Sequence, residues 1–337
     1  MSVSSQGRKV WLLLIATLVL VALAAAGFLG FMTGMPGRSY SGALPPLSPQ
    51  EIEVAANLKS HVAAVAGNIG ERNIIAYHGL QKTAQYIEDA WKSQGYQVES
   101  QEYVVQRRKV RNLVVEIPGV ARAKEIVVVG AHYDTVSDCP GADDNTSGVA
   151  ALLELTRILK AAHPARTMRF VAFVNEEPPW FQTEDMGSWV YAKHAHRRNE
   201  NIVAALSLET IGMYSDAEGS QQYPAGFGSL YPSKGNFISF IGNLSSRALV
   251  RAAVASFRKA TSFPSEGAAV PAGIQGVGWS DHWSFWQEGY PAIMVTDTAP
   301  FRNPDYHQPG DTPDTLDYER MARVVRGLAG VVTDLGK

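Results

Sequence analysis

From Val10 to Met32 no residue is charged and most are apolar. At about 1.5 Å per residue this stretch is long enough to cross a hydrocarbon core of about 30 Å. A helix apolar on every face at the start of a chain has no second layer to bury it, so the pattern predicts a membrane segment over residues 1–32 rather than a core helix. Arg8 and Lys9 precede it and only Arg38 follows closely, a positive-inside bias that places the amino terminus in the cytoplasm and the bulk of the chain outside. The expected form is a single-pass membrane protein. The small-residue run Ala24-Ala25-Ala26 also suits a signal peptidase, with a secreted or periplasmic product as the alternative. Residues 33–47 are rich in Gly, Pro and Ser without an apolar period and read as a linker, leaving 48–337 as one domain.

The domain opens with Ser48-Pro49-Gln50-Glu51, a capping-box sequence, and Ile52, Ala55, Leu58, Val62 and Val65 follow at helical spacing. A second helix is predicted from about His78 to Ser93, closing on Gly95, and strands over 97–105 and 111–118. The centre then alternates. Residues 125–134 form an apolar run of strand type, 147–162 have helical period, 167–175 are a strand, the region around Tyr191 is helical, and 201–209 are a strand again. Strands over 236–243 and 290–297, a helix near 246–260 and a last helix from about Tyr318 to Leu335 complete the pattern. Near-continuous apolar strands separated by helices predict an α/β fold, with a mixed, largely parallel central sheet and helices on both faces. Ligands of such sheets bind beyond the carboxyl ends of the strands.

Composition narrows the function. Of 337 residues, 46% are hydrophobic and 18% charged, which supports a packed core and excludes disorder. A formal net charge of -2 provides no basic field to concentrate nucleic acid. Cys139 stands alone, so no intramolecular disulfide or all-cysteine metal site exists, and any metal must be held by His, Asp and Glu.

The strand ends carry that chemistry. The first apolar strand ends in Ala131-His132-Tyr133-Asp134, and alternation places His132 and Asp134 on one side, where the carboxylate can accept the second ring N–H of a metal-binding histidine. Gly141-Ala142-Asp143-Asp144 lies just before the next helix. The following strand runs into Glu176-Glu177, adjacent acids that a cation or a shared proton would relieve, and the next ends in Glu209. Tyr306-His307 adds an imidazole before the last helix. Together His132, Asp144, Glu176, Glu177, Glu209 and His307 form a nitrogen and oxygen donor set suited to zinc.

In order and spacing, the segments AHYD, GADDNTSG, NEE, SLETIGM, SDHWSF and YHQPGDTPDTLDYERM resemble the zinc-dependent aminopeptidases of the bacterial leucyl aminopeptidase type. These are relatives of glutamate carboxypeptidase and of the glutaminyl cyclases, and the likeness runs from His78 to Val332. The resemblance implies two zinc ions per chain, with Asp144 as the bridging carboxylate, His132 and Glu209 on one metal and Glu177 and His307 on the other. It implies Glu176 as general base, Asp134 behind His132, Asp311 as an orienter near His307, and a peptide with a free amino terminus as substrate. Many members carry Asp where this chain has Glu209. His282 fits the motif as either a structural or a catalytic residue. The chain departs from the family in the longer loop 178–186, where Trp180 and Phe181 are expected either to wall the substrate pocket or to pack back into the core. Alternative expectations are a single-zinc glutaminyl cyclase, a carboxypeptidase-like relative, or a membrane-anchored binding module without catalysis.

Overall fold

The computed structural model describes residues 5–337, with the side chains of 5–8 and of 10 excepted. Residues 1–4 of the expected membrane segment and the side chain of Arg8 therefore lie outside what is described. Helix α1 (Ser5–Thr33) contains the apolar stretch Trp11–Thr33, nearly all of it exposed. Residues 34–47, expected as a loose linker, run without helix or strand and are held to the domain. Arg251 donates to the Gly34 carbonyl, Arg258 to that of Pro36 and Arg323 to that of Pro45, while the Ser265 N–H donates to Ser39 Oγ. A Gly- and Pro-rich backbone leaves its carbonyls free, and arginines take them.

Helix α2 (Pro49–Val62) begins at the predicted capping box, the Ser48 N–H donating to Glu51 Oε2 at 2.8 Å and the Glu51 N–H to Ser48 Oγ at 3.3 Å. Then come α3 (Tyr77–Ser93), β1 (Glu99–Val105), β2 (Arg108–Ile117), β3 (Arg122–His132), α4 (Gly148–Leu159), β4 (Arg166–Phe173), α5 (Gly187–Arg197) and β5 (Asn201–Glu209). The chain continues through β6 (Ile238–Gly242), α6 (Arg247–Ala260), β7 (Ser265–Ala269), α7 (His282–Gln287), β8 (Ala292–Thr296) and α8 (Tyr318–Leu335). All eight strands join one sheet in the order β1-β2-β4-β3-β5-β8-β6-β7. The centre, β4-β3-β5-β8, is parallel, while β1 and β2 and the β8–β6 pair are antiparallel. The mixed, largely parallel sheet read from the sequence is the one observed.

One short element, β7, carries no signal in the sequence. Ser-Glu-Gly-Ala-Ala has neither an apolar run nor β-branched residues, and β7 exists because β6 offers it a parallel partner. Along β3 the period of two divides the core: Val127, Val129 and Ala131 face a layer with α2, α3, α4, α6 and α8, and Ile126 and Val128 face α5 and α7.

Candidate metal centre

The parallel register brings the chemistry to one edge. Gly130 of β3 pairs with Ser207 of β5, so His132 and Glu209, each the last residue of its strand, arrive level with one another. Ala131 pairs with Ala172 of β4, and Glu176-Glu177 follow just beyond that strand's end. Asp144 comes from the turn before α4, and His307 from the loop between β8 and α8.

Asp144 lies between two imidazoles. Its Oδ1 is 3.2 Å from His132 Nε2 and its Oδ2 is 3.1 Å from His307 Nε2. Glu209 Oε2 lies 3.3 Å from His132 Nε2, and Glu177 Oε2 lies 3.2 Å from His307 Nε2. Three three-donor groups result: His132–Asp144–Glu209 and Asp144–Glu177–His307 share the Asp144 carboxylate, and His132–Glu176–Glu177 joins the same histidine to the Glu pair. Among the described residues His132 Nε2, Asp144 Oδ1 and His307 Nε2 have no hydrogen-bond partner. Close polar atoms that converge without pairing are what a coordinating cation would satisfy, and the nitrogen and oxygen set fits zinc.

The electrostatics describe the same deficit of positive charge. Burial pushes Glu176 well above the usual carboxylate range, with Glu209 and Glu177 adding to the effect against His132. Burial and the charge of Asp144 raise Glu177 to about 7. Burial would lower His307, yet Asp144 and Glu177 outweigh it and raise it to about 10. Burial would likewise raise Asp144, but His132 and His307 hold it well below its ordinary value. The imidazoles hold protons where a dication would replace them, so metal affinity rises with pH as those protons leave.

Supporting groups fix the donors. Asp134 accepts the backbone N–H of Glu176 at 3.0 Å and of Glu177 at 3.1 Å, and stands 3.6 Å from His132 Nδ1. It therefore anchors the Glu-Glu turn more directly than the His132 ring. Asp311, expected as an orienter near His307, instead accepts the N–H groups of Asp143 at 2.7 Å and Asp144 at 3.0 Å. Its two oxygens thus hold the backbone of the turn that carries Asp144. Tyr306 stacks on the His307 ring at 3.9 Å. His282 is buried, bonds the Val277 carbonyl through Nε2 at 2.7 Å, packs edge-on against Trp286, and is pushed by burial down to about 4, all of which describe a structural histidine.

Three further supports were not singled out in the sequence, although Ser280 and Asn145 lie within the SDHWSF and GADDNTSG segments. Ser280 donates to Glu209 Oε2 at 2.7 Å. Asn145 accepts from the N–H of Thr210 and donates to Leu208 O, tying the Asp144 turn to the end of β5. Arg72 is fully buried and donates to the carbonyls of Tyr133, Gly70, Pro140 and Gly141 and to Thr146 Oγ1, so one guanidinium holds the whole segment from His132 to Asp144. Replacing Arg72 with Met should leave these buried acceptors unpaired and cost about 3 kcal/mol or more of stability. The check is a melting curve with metal analysis, and an unchanged melting temperature together with full metal content would refute the role.

Beside the centre lies an apolar cleft of about 110 Å³ that reaches Glu209 and Tyr306 and is lined by Phe227, Tyr231, Ile241, Val270 and Met294. Trp180 and Phe181 are not among its walls. Trp180 is half-buried against the main core, so the longer loop folds back rather than shaping the cleft.

A family model described as Peptidase family M28 matches residues 112–332. The uncharacterized protein YfbL of Escherichia coli K12 is 37% identical over 290 residues, which span 83% of this chain and 86% of that protein. A probable leucine aminopeptidase of Arthroderma otae is 28% identical over 271 residues, covering 76% of this chain and 64% of that protein. Among solved structures, a zinc aminopeptidase from Bacillus subtilis matches with a TM-score of 0.68 at 16% identity, over 84% of this chain and 95% of its own. The glutaminyl cyclase of Fimbriiglobus ruber matches with a TM-score of 0.61 at 20% identity, over 87% and 97%. At these identities the structural likeness is one of fold.

Proposed function

The chain belongs to peptidase family M28 and is a zinc metallopeptidase, and from that premise we propose that it is a membrane-anchored aminopeptidase with a pair of zinc ions. In this reading residues 1–32 anchor the protein, 33–47 link it and 48–337 form the catalytic domain outside the cytoplasm. The observation that carries the metal pair is Asp144, whose two oxygens each face a different imidazole, each imidazole having its own second carboxylate. His132 and Glu209 would hold one ion, Glu177 and His307 the other.

Bound zinc supplies a water of lowered pKa and a Lewis acid for the scissile carbonyl oxygen. The chain supplies the rest. Glu176 is buried beside both donor groups, and its raised pKa suits it to take a proton from the attacking water and return it to the leaving amine. Asp134 fixes the backbone at Glu176 and Glu177, so base and ligand keep their spacing. The acid-rich edge at Glu209 and Glu176 attracts the α-ammonium of a free amino terminus, and the apolar cleft receives the first side chain.

The test is hydrolysis of free and amino-blocked peptides, with metal analysis of the same sample. Cleavage restricted to free amino termini and two zinc ions per chain are expected. Equal cleavage of blocked peptides would refute the aminopeptidase reading, while cyclisation of amino-terminal glutamine with one zinc would establish the cyclase alternative. Side-chain preference follows from the cleft. Ala268→Leu should reduce turnover of leucyl and phenylalanyl substrates more than that of alanyl ones, since Ala268 lines the apolar space. Trp180→Ala should lower the melting temperature without altering that ratio. The reverse pattern in the two variants would move the specificity pocket to the loop 178–186.

A further inference from the structure

The walls of the apolar cleft are also the surface on which the anchor ends. Leu29 and Met32, in the last turns of α1, pack in one cluster with Phe227, Tyr231, Val270 and Ile274, and these four line the cleft from the other side. The contact is held in place. Arg247 donates to the Phe31 carbonyl at 2.7 Å with its guanidinium over the Phe31 ring at 4.0 Å, and Arg251 donates to the carbonyl of Gly34.

Helix geometry gives the depth. The 23 residues Trp11–Thr33 are about 35 Å long at about 1.5 Å per residue, a few ångströms more than a hydrocarbon core of about 30 Å. The last turn of α1 then lies at headgroup level, and so do the loops packed on it. Those loops have the chemistry of that layer. Residues 219–233 and 267–280 contain no charged side chain, in a chain where 18% of residues are charged. They carry Tyr223, Phe227, Tyr231 and Trp279, aromatic residues of the type that favours membrane interfaces. Leu230 and Trp279 are 37% and 41% exposed on them.

We propose that the last turn of α1 and the loops 219–233 and 267–280 form a continuous face immersed in the interfacial layer of a phospholipid bilayer. The cleft beside Glu209 is then walled by membrane-immersed loops and takes the apolar amino-terminal residues of peptides already partitioned into the membrane surface. This inference rests on the anchored reading above and extends it from one helix to a face of the catalytic domain.

The experiment uses the full chain in nanodiscs of phosphatidylcholine and phosphatidylglycerol, with single spin labels at Leu230→Cys, Ala272→Cys, Leu18→Cys in α1 and Ile75→Cys. Ile75 is 80% exposed and far from these loops in sequence, and the native Cys139 is buried and stays in place. Labels at 18, 230 and 272 should be reached by dissolved oxygen in preference to a water-soluble nickel chelate, with the reverse ratio at 75. If 230 and 272 follow 75 while 18 remains immersed, the anchor stands and the immersed face is refuted. If 18 is also water-accessible, the anchored reading fails and the inference with it. Dipolar broadening between labels at 230 would show a second copy of the chain covering the face, and would equally overturn the proposal. The substrate side is read separately with Leu230→Asp combined with Ala272→Asp, neither residue lining the cleft. Hydrolysis of a vesicle-partitioned leucyl peptide should fall while that of a soluble leucyl peptide holds, and a parallel response of the two peptides would refute delivery from the membrane.

Discussion

Glu176→Gln should reduce turnover by at least about a hundredfold while both metals stay bound. The substitution keeps the shape and polarity of the side chain and removes its capacity to take a proton. Glu176 is a fitting base because it is buried at the carboxyl end of β4 among Glu177, Glu209 and His132, and burial and those acids lift its pKa well above the usual carboxylate range. Its Oε2 lies 3.8 Å from His132 Nε2, the most distant of the acids on that imidazole, so its loss leaves the nearer donors in place. Zinc content by atomic absorption separates this role from that of a ligand. If Glu176→Gln turned over peptide at a rate near the native one, the base would have to be sought elsewhere. If it lost zinc together with activity, Glu176 would be a ligand and not the base.

The strength of the sequence signal at this centre depended on how local each contribution is. His132, Glu176-Glu177 and Glu209 sit at or just past the ends of apolar strands, and a parallel sheet brings such ends together, so their convergence was legible from pattern alone. Asp144 and His307 lie in irregular segments, where no period marks a position, so they entered the donor set by residue type alone and resemblance to a family gave them their roles. Arg72 shows what neither route reaches. The five acceptors of its guanidinium, four carbonyls and one hydroxyl, are spread from Gly70 to Thr146, and long-range bonds of a loop arginine to loop carbonyls leave no trace in spacing. Asp311 was placed at this site by resemblance, but its bonds to the Asp143 and Asp144 N–H groups depend on angles that only the folded chain has. The apolar cleft was hidden for a similar reason. Its walls come from segments around 221–231, 267–279 and 294–306, joined by tertiary packing, whereas Trp180 and Phe181 were conspicuous because they stand close to Glu176 in the chain.

Asp144→Asn should cost the protein both metals and, with them, essentially all hydrolysis. In the proposed pairing Asp144 is the donor common to the His132–Glu209 and Glu177–His307 sides, and an amide in its place offers a weaker oxygen and no negative charge between two dications. The turn that carries it would survive, since its backbone is held by Asp311, Arg72 and Asn145 through bonds that do not use the Asp144 side chain. Metal-free protein gives a second readout. Asp144 is the foremost of the groups that raise His307 to about 10 against burial, so in the variant the His307 titration followed by NMR should move down. The sign of the stability change follows. A histidine whose pKa is raised by folding contributes stability that is complete below its unfolded value near 6.5 and is lost as pH rises toward 10, so the metal-free native protein should lose that contribution over this interval and the variant should show less of it. A variant that kept two zinc ions per chain would refute the bridge. One that kept a single ion with the His307 titration unmoved would place Asp144 on the His132 side alone.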